Sequence, residues 1–190
     1  MKIAALILAA GAGSRFGSLK QLAPINGKPM LQHCIDSANG QLPGAVYTLL
    51  GNQSESIQKQ ITATQVIHHP EWKQGIGSSI AAGVSYLSKE FDAILIMLGD
   101  QPLVSSQHLG QLLGLYGSQQ AVCSLYQDNL GVPAIFGKIH FHSLTRLTGD
   151  QGAKQLLNSL SPAPATLDLA LASTDIDYPQ DLDRLTLDTD

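Results

Sequence analysis

The sequence predicts an α/β protein: a single-domain, three-layer α/β/α sandwich built on a mostly parallel, doubly wound sheet. Three observations lead there. Apolar runs of strand length alternate along the chain with segments of helical period. The two strongest runs, residues 2–8 and 93–98, are apolar almost throughout rather than at every second position, as expected of strands covered by helices on both faces. Each run also ends in a glycine-bearing turn that carries charge, at the strand end where open α/β sheets bind ligands.

Taken in order, residues 2–8 form the first strand, and the glycine-rich stretch Leu8 to Lys20 (LAAGAGSRFGSLK) follows it. A helix is predicted from Pro29, placed as an N1 proline, with Met30, Leu31, Cys34, Ile35 and Ala38 on one face and Gly40 at its end. Residues 45–50 read as a strand, 55–61 as a helix and 64–67 as another strand. Ile76, Ile80, Val84 and Leu87 mark an amphipathic helix before the strand at 93–98, which runs into Gly99-Asp100-Gln101-Pro102. Leu109, Leu112, Leu113 and Tyr116 mark a further helix, and residues 121–125 and 132–136 two strands, with an antiparallel excursion around 126–148. Beyond that, 154–160 is predicted helical, 170–176 partly extended, and 180–187 a terminal helix behind Pro179.

Composition narrows the function classes. With 190 residues and 44% hydrophobic content the chain supports one substantial core. The net charge of −4 and the lack of a basic run argue against nucleic-acid or membrane-surface binding. Cys34 and Cys123 stand far apart without metal-ligand spacing, which points to reduced, buried thiols and a cytoplasmic protein. The opening apolar stretch is too short, and too poor in charge ahead of it, to be read as a signal peptide. His68, His69, His140 and His142 have no Glu or Cys at zinc spacing, and Ser79 lacks the context of a nucleophile elbow.

The candidate chemistry lies in three places. Gly11 and Gly13 allow a turn whose backbone N–H groups face an anion, while Arg15 and Lys20 supply the countercharge a polyphosphate needs. The loop fits neither the dinucleotide fingerprint nor the P-loop, because Gly17 falls one residue late and no Gly-Lys-Ser/Thr ending is present. Asp100, on its tight turn, has the chemistry of an Mg²⁺ ligand, with Asp175 or Asp177 available as a second carboxylate; turn or helix capping is the alternative use of each. Third, Glu71 to Ser79 opens a helix with two glycines and two serines, fit to hold a base or ribose, or to cap the helix through Ser78 or Ser79; Trp72 reads as a packing residue.

The stretch LAAGAGSRFGSLKQLAPINGKPML resembles the signature of NTP-dependent nucleotidyltransferases, above all the molybdenum cofactor cytidylyltransferase group (MobA/MocA-like). WKQGIGSSIAAG, GDQP, GVPAIF, LTGDQGAK and DIDYPQDL resemble later motifs of that group in the same order. The resemblance implies a Rossmann-like sandwich of the nucleotide-diphospho-sugar transferase type, with the nucleotide bound by the N-terminal part and the acceptor by roughly residues 126–190. It implies a cytoplasmic enzyme that transfers CMP from CTP to the phosphate of molybdopterin and releases pyrophosphate, with a molybdenum hydroxylase receiving the product. Arg15, Lys20 and Asp100 would then be catalytic. Leu8, Ala10, Gly11, Ala12, Gly13, Gly75, Ser78 and Ser79 would line the nucleotide, Gly149, Asp150 and Gly152 the pterin, and Asp100 with Asp177 would hold Mg²⁺. Two departures are visible: Phe16 replaces a usual Met, and Lys154 replaces an Arg, losing a bidentate donor. Ala10 stands where the guanylyl sister group has Gly, and its methyl favours a pyrimidine over a purine. ATP- or GTP-using enzymes, a sugar- or alcohol-phosphate nucleotidyltransferase, and a non-catalytic cofactor-insertion chaperone are the competing readings.

Overall fold

The computed structural model describes residues 1–184 apart from 12, 14, 15, 118, 119, 174, 175 and 177. Arg15, Ala12, Asp175 and Asp177 therefore lie outside the described residues. A seven-stranded sheet forms the middle layer. At its centre β1 (Ile3–Leu8) pairs in parallel with β4 (Val46–Leu50) on one side and β6 (Ala93–Leu98) on the other, and β5 (Gln65–His68) extends it in parallel beyond β4. The excursion predicted for 126–148 is a reversal: β8 (Asn129–Gly137) runs antiparallel to β6 and forms a hairpin with β7 (Ala121–Tyr126). A ninth strand, β9 (Ala165–Asp168), closes that edge in parallel with β7 and was not evident in the sequence.

Alternation along the central strands divides the core in two. Ala5 and Ile7 of β1 and Ala93, Leu95 and Met97 of β6 face one side; Ala4, Leu6, Leu8, Ile94, Ile96 and Leu98 face the other. The first face is covered by α1 (Met30–Asn39) and α4 (Ser106–Tyr116), and the second by α3 (Ile76–Leu87), α5 (Phe141–Leu144) and α6 (Ala153–Ser159). Each of the buried α3 side chains Ile80, Val84 and Leu87 contributes about 1.5–3 kcal/mol through burial. Gly83 lets α3 lie directly on β1, because a Cβ there would sit 2.5 Å from Leu6 Cδ2. Gly83→Ala is therefore expected to destabilise the protein by about 1–3 kcal/mol through overpacking, seen as a lower urea midpoint.

Several sequence expectations are corrected in detail. Pro29 sits at the N-cap of α1, one position before N1, with φ −54° and ψ 137°. The preceding residues form a two-strand hairpin, β2 (Pro24–Ile25) with β3 (Lys28–Pro29), turning through Asn26 and Gly27 at positive φ. The helix predicted at 55–61 is the shorter α2 (Ser54–Gln58). Ala170–Ser173, predicted extended, is a 3₁₀ turn, and the terminal helix is a 3₁₀ turn over Pro179–Arg184. This region is tied to the turn after β6: Gln101 Nε2 donates to Ala172 O at 2.7 Å and the Ile176 N–H to Asp100 O at 3.4 Å. Ile176 then joins Phe16, Ala23, Ile25 and Met30 in a small third core under the glycine loop. Both cysteines are buried; burial, followed by the nearby Asp100 charge, pushes the Cys34 thiol up to about 12. No helix among the described residues is long and apolar enough to cross a membrane.

Candidate active site

Three segments meet at the carboxyl ends of β1 and β6. The glycine loop leaves β1 and returns through a 3₁₀ turn at Lys20–Leu22, which places Lys20 over the end of β6. There Lys20 Nζ donates to Asp100 Oδ2 at 2.8 Å, joining residues 80 apart in sequence. Lys20 is 8% exposed, so an ammonium that would otherwise be solvated is held beneath the loop against a carboxylate. The other carboxylate oxygen, Asp100 Oδ1, is buried and receives no hydrogen bond from the described residues. A buried anionic oxygen without a donor suits a cation. Among the described residues no group of three His, Cys, Asp or Glu side chains gathers, and Mg²⁺ does not require one, since it binds one or two carboxylates plus substrate phosphates.

Gly13 has φ +57°, and a Cβ there would lie 2.9 Å from Lys20 Cβ, so the close approach of loop and lysine requires glycine. Gln21, 7% exposed, spans the inside of the loop, its Nε2 donating to Ala9 O at 3.1 Å and to Gly11 O at 2.8 Å.

Across the cleft, the mouth of α3 is built differently from a capped helix. Gly75, at φ +97°, is the N-cap and provides no side-chain cap. Ser78 does not cap either: its hydroxyl donates to Gly75 O at 3.0 Å and meets His69 Nε2 at 3.0 Å. Since Ser78 has one proton and gives it to Gly75, His69 donates to Ser78. Burial lowers the pKa of His69, with Glu71 opposing. Gly75 and Gly77 bring the residues 148–150 onto this mouth; the Gly77 N–H donates to Gly149 O at 2.8 Å. A Cβ on Gly77 would run into the Thr148 backbone at 2.7 Å.

The resulting cleft has a volume of about 390 Å³. Of the side chains predicted for the site, Leu8, Ala10, Gly11, Gly75, Ser79 and Asp100 line it. Ser78 is instead occupied with Gly75 and His69, and Gly152 lines an adjoining pocket of about 150 Å³ together with Lys154. Asp150 is exposed on the loop at Gly149. Trp72, Lys73, Ile76 and Leu98 also line the cleft. Trp72 packs against the core, as expected, and also lines the cleft. Its approach to the sheet depends on Gly51, where a Cβ would lie 2.5 Å from Trp72 Cγ.

A family model described as a MobA-like NTP transferase domain matches residues 5–164, the span that contains the glycine loop, Lys20 and Asp100. The chain belongs to that family. As a MobA-like NTP transferase it is similar over its whole length to the solved structure of Rv0371c from Mycobacterium tuberculosis H37Rv. The TM-score is 0.84 at 26% identity, with 97% of this chain and 96% of that chain covered. A molybdopterin-guanine dinucleotide biosynthesis protein A from Archaeoglobus fulgidus shares the fold, with TM-score 0.68 at 19% identity over 97% of this chain and 96% of that chain. In sequence, the bifunctional protein GlmU of Pseudomonas aeruginosa is 32% identical over 160 residues, 83% of this chain and 33% of its own length. The MobA-like chain thus spans about a third of the curated relatives it matches.

Proposed function

We propose that this MobA-like chain transfers CMP from CTP to the phosphate of a molybdopterin-type acceptor and releases pyrophosphate. The observation that carries the reading is the Lys20–Asp100 pair at the foot of the glycine loop, with Asp100 Oδ1 buried and without a donor among the described residues. An oxygen of the acceptor phosphate attacks the α-phosphorus of CTP, the bond from that phosphorus to the bridging oxygen breaks, and pyrophosphate leaves with the electron pair. The acceptor needs no general base, because the second pKa of a phosphate monoester is about 6 and it is mostly ionised at neutral pH. What remains is to hold two polyanions in line and to meet charge building on the leaving group.

Asp100, with Asp177, would hold Mg²⁺, which when bound neutralises phosphate charge and polarises the α-phosphoryl group. Lys20 and Arg15 supply the remaining positive charge at the β- and γ-phosphates. Ala10 lines the cleft, and a residue larger than glycine there supports a pyrimidine. Ser79 and the mouth of α3 lie where ribose and base would rest. A molybdenum hydroxylase is the proposed recipient of the product, in the cytoplasm.

One observation favours, within the alternative of a sugar- or alcohol-phosphate acceptor, a phosphorylated alcohol. The pocket beyond Leu98 is lined largely by apolar side chains, among them Ile80, Ile96, Leu130 and Val132, with Tyr126 and Lys154 supplying most of its polar atoms. A pterin, with its row of ring donors and acceptors, would need more polar partners than these. Pyrophosphate release with Mg²⁺ and intact molybdenum cofactor, comparing CTP, ATP and GTP, tests both. Release with CTP is expected. Release with ATP or GTP alone would overturn the base assignment, and release only with phosphorylated alcohols or sugars would move the protein to the second reading.

A further inference from the structure

We infer that Gln21 is a positioning residue that keeps the phosphate-facing loop in its anion-accepting form; the inference rests on the nucleotide reading above. The residue is more than nine-tenths buried, and both of its amide hydrogens are used, one on Ala9 O and one on Gly11 O. Two carbonyl acceptors fix which end of the carboxamide is nitrogen, since the reverse orientation would set three oxygens against one another. At its other end, Oε1 is buried and accepts no hydrogen bond from the described residues.

That orphaned oxygen separates a stabilising role from a positioning one. A Met or Leu would fill the same volume without burying an unanswered acceptor, so packing alone does not account for a glutamine here. Its nitrogen does account for it. A loop that faces a polyphosphate must show the anion N–H groups and hide its carbonyl oxygens, because each peptide plane points the two in opposite directions. Gln21 engages the carbonyls at both shoulders of the loop, on either side of Ala10, and draws their negative ends inward. Ala10 and Gly11 themselves line the cleft. Gln21 does not itself line the cleft; its influence passes through the backbone it holds, Gly11 included.

The test is the ratio of CTP to CMP affinity, measured by calorimetry on the full chain for the unaltered protein, Gln21→Met and Gln21→Glu. Gln21→Met is expected to lower the ratio by roughly tenfold, the scale of lost hydrogen bonds, because the β- and γ-phosphates feel the loop most. Gln21→Glu places a carboxylate against two carbonyls and is expected to lower it further. The thermal midpoint of each variant reads folding separately, and at least one folded variant suffices. A Gln21→Met protein that folds and keeps the CTP-to-CMP ratio would overturn the proposal while leaving the nucleotide reading intact. Failure of the unaltered protein to bind CTP, ATP or GTP would overturn the nucleotide reading and the proposal together.

Discussion

Asp100→Asn is expected to lower pyrophosphate release by a hundredfold or more while the chain still folds. The substitution keeps the size of the side chain and removes the charge at the one described carboxylate that reaches the cleft beside the glycine loop. Two functions go with that charge: the anionic Oδ1, buried without a donor, and the partner of the Lys20 ammonium. An amide can still accept a hydrogen bond from Lys20, so the fold has a substitute, but a neutral oxygen is a poor ligand for Mg²⁺. The check is pyrophosphate release across a range of Mg²⁺ concentrations. If the carboxylate serves as metal ligand, the variant needs far more Mg²⁺ or does not recover at all. Full recovery at ordinary Mg²⁺ would remove Asp100 from the metal site.

Lys20→Ala is expected to cost a similar ~10²–10³ in turnover, about 2.7–4 kcal/mol of transition-state stabilisation, by comparison with losing one preorganised donor. Steady-state kinetics with saturating nucleotide would measure it, and near-normal turnover would remove Lys20 from the mechanism. Because Lys20 and Asp100 share a 2.8 Å hydrogen bond, the two losses should not multiply. The Lys20→Ala/Asp100→Asn double variant is expected to fall well short of the product of the single effects. In the structure the lysine is held by the carboxylate, so on the proposed reading it would exchange that partner for phosphate oxygens when nucleotide binds.

Where the sequence was legible, the physics was local. Residues 3–8 and 93–98 are flanked by helices on both faces, so their apolar character is continuous, and the turns that follow them carry Lys20 and Asp100 to one edge of the sheet. The α1 and α3 faces followed from their 3.6-residue period. What could not be read depended on contacts between distant segments. β9 is four residues long and finds its partner, β7, some forty positions back. The hairpin at 24–29 is two residues per strand, although Asn26-Gly27 carried its signal. Ser78 was read as a possible cap because serine at a helix start commonly is one; its hydroxyl is instead directed by His69, whose ring is brought there by the end of β5. Gln21 offered no sequence signal, since its meaning lies in two carbonyls that only the folded loop brings to its nitrogen.

The bond from Ile176 to the Asp100 carbonyl and the packing of Ile176 against Phe16 and Met30 bear on where this domain can be cut. The family match ends at residue 164, yet the underside of the glycine loop is sealed by a residue twelve positions later. A version trimmed to the matched boundary would keep the loop, the lysine and the aspartate, and would lose β9 with the wall behind them. The loop residue Phe16 thus shares its core with Ile176, so substitutions at Leu169, Ala172 and Ile176 belong with the candidate site when variants of this protein are interpreted.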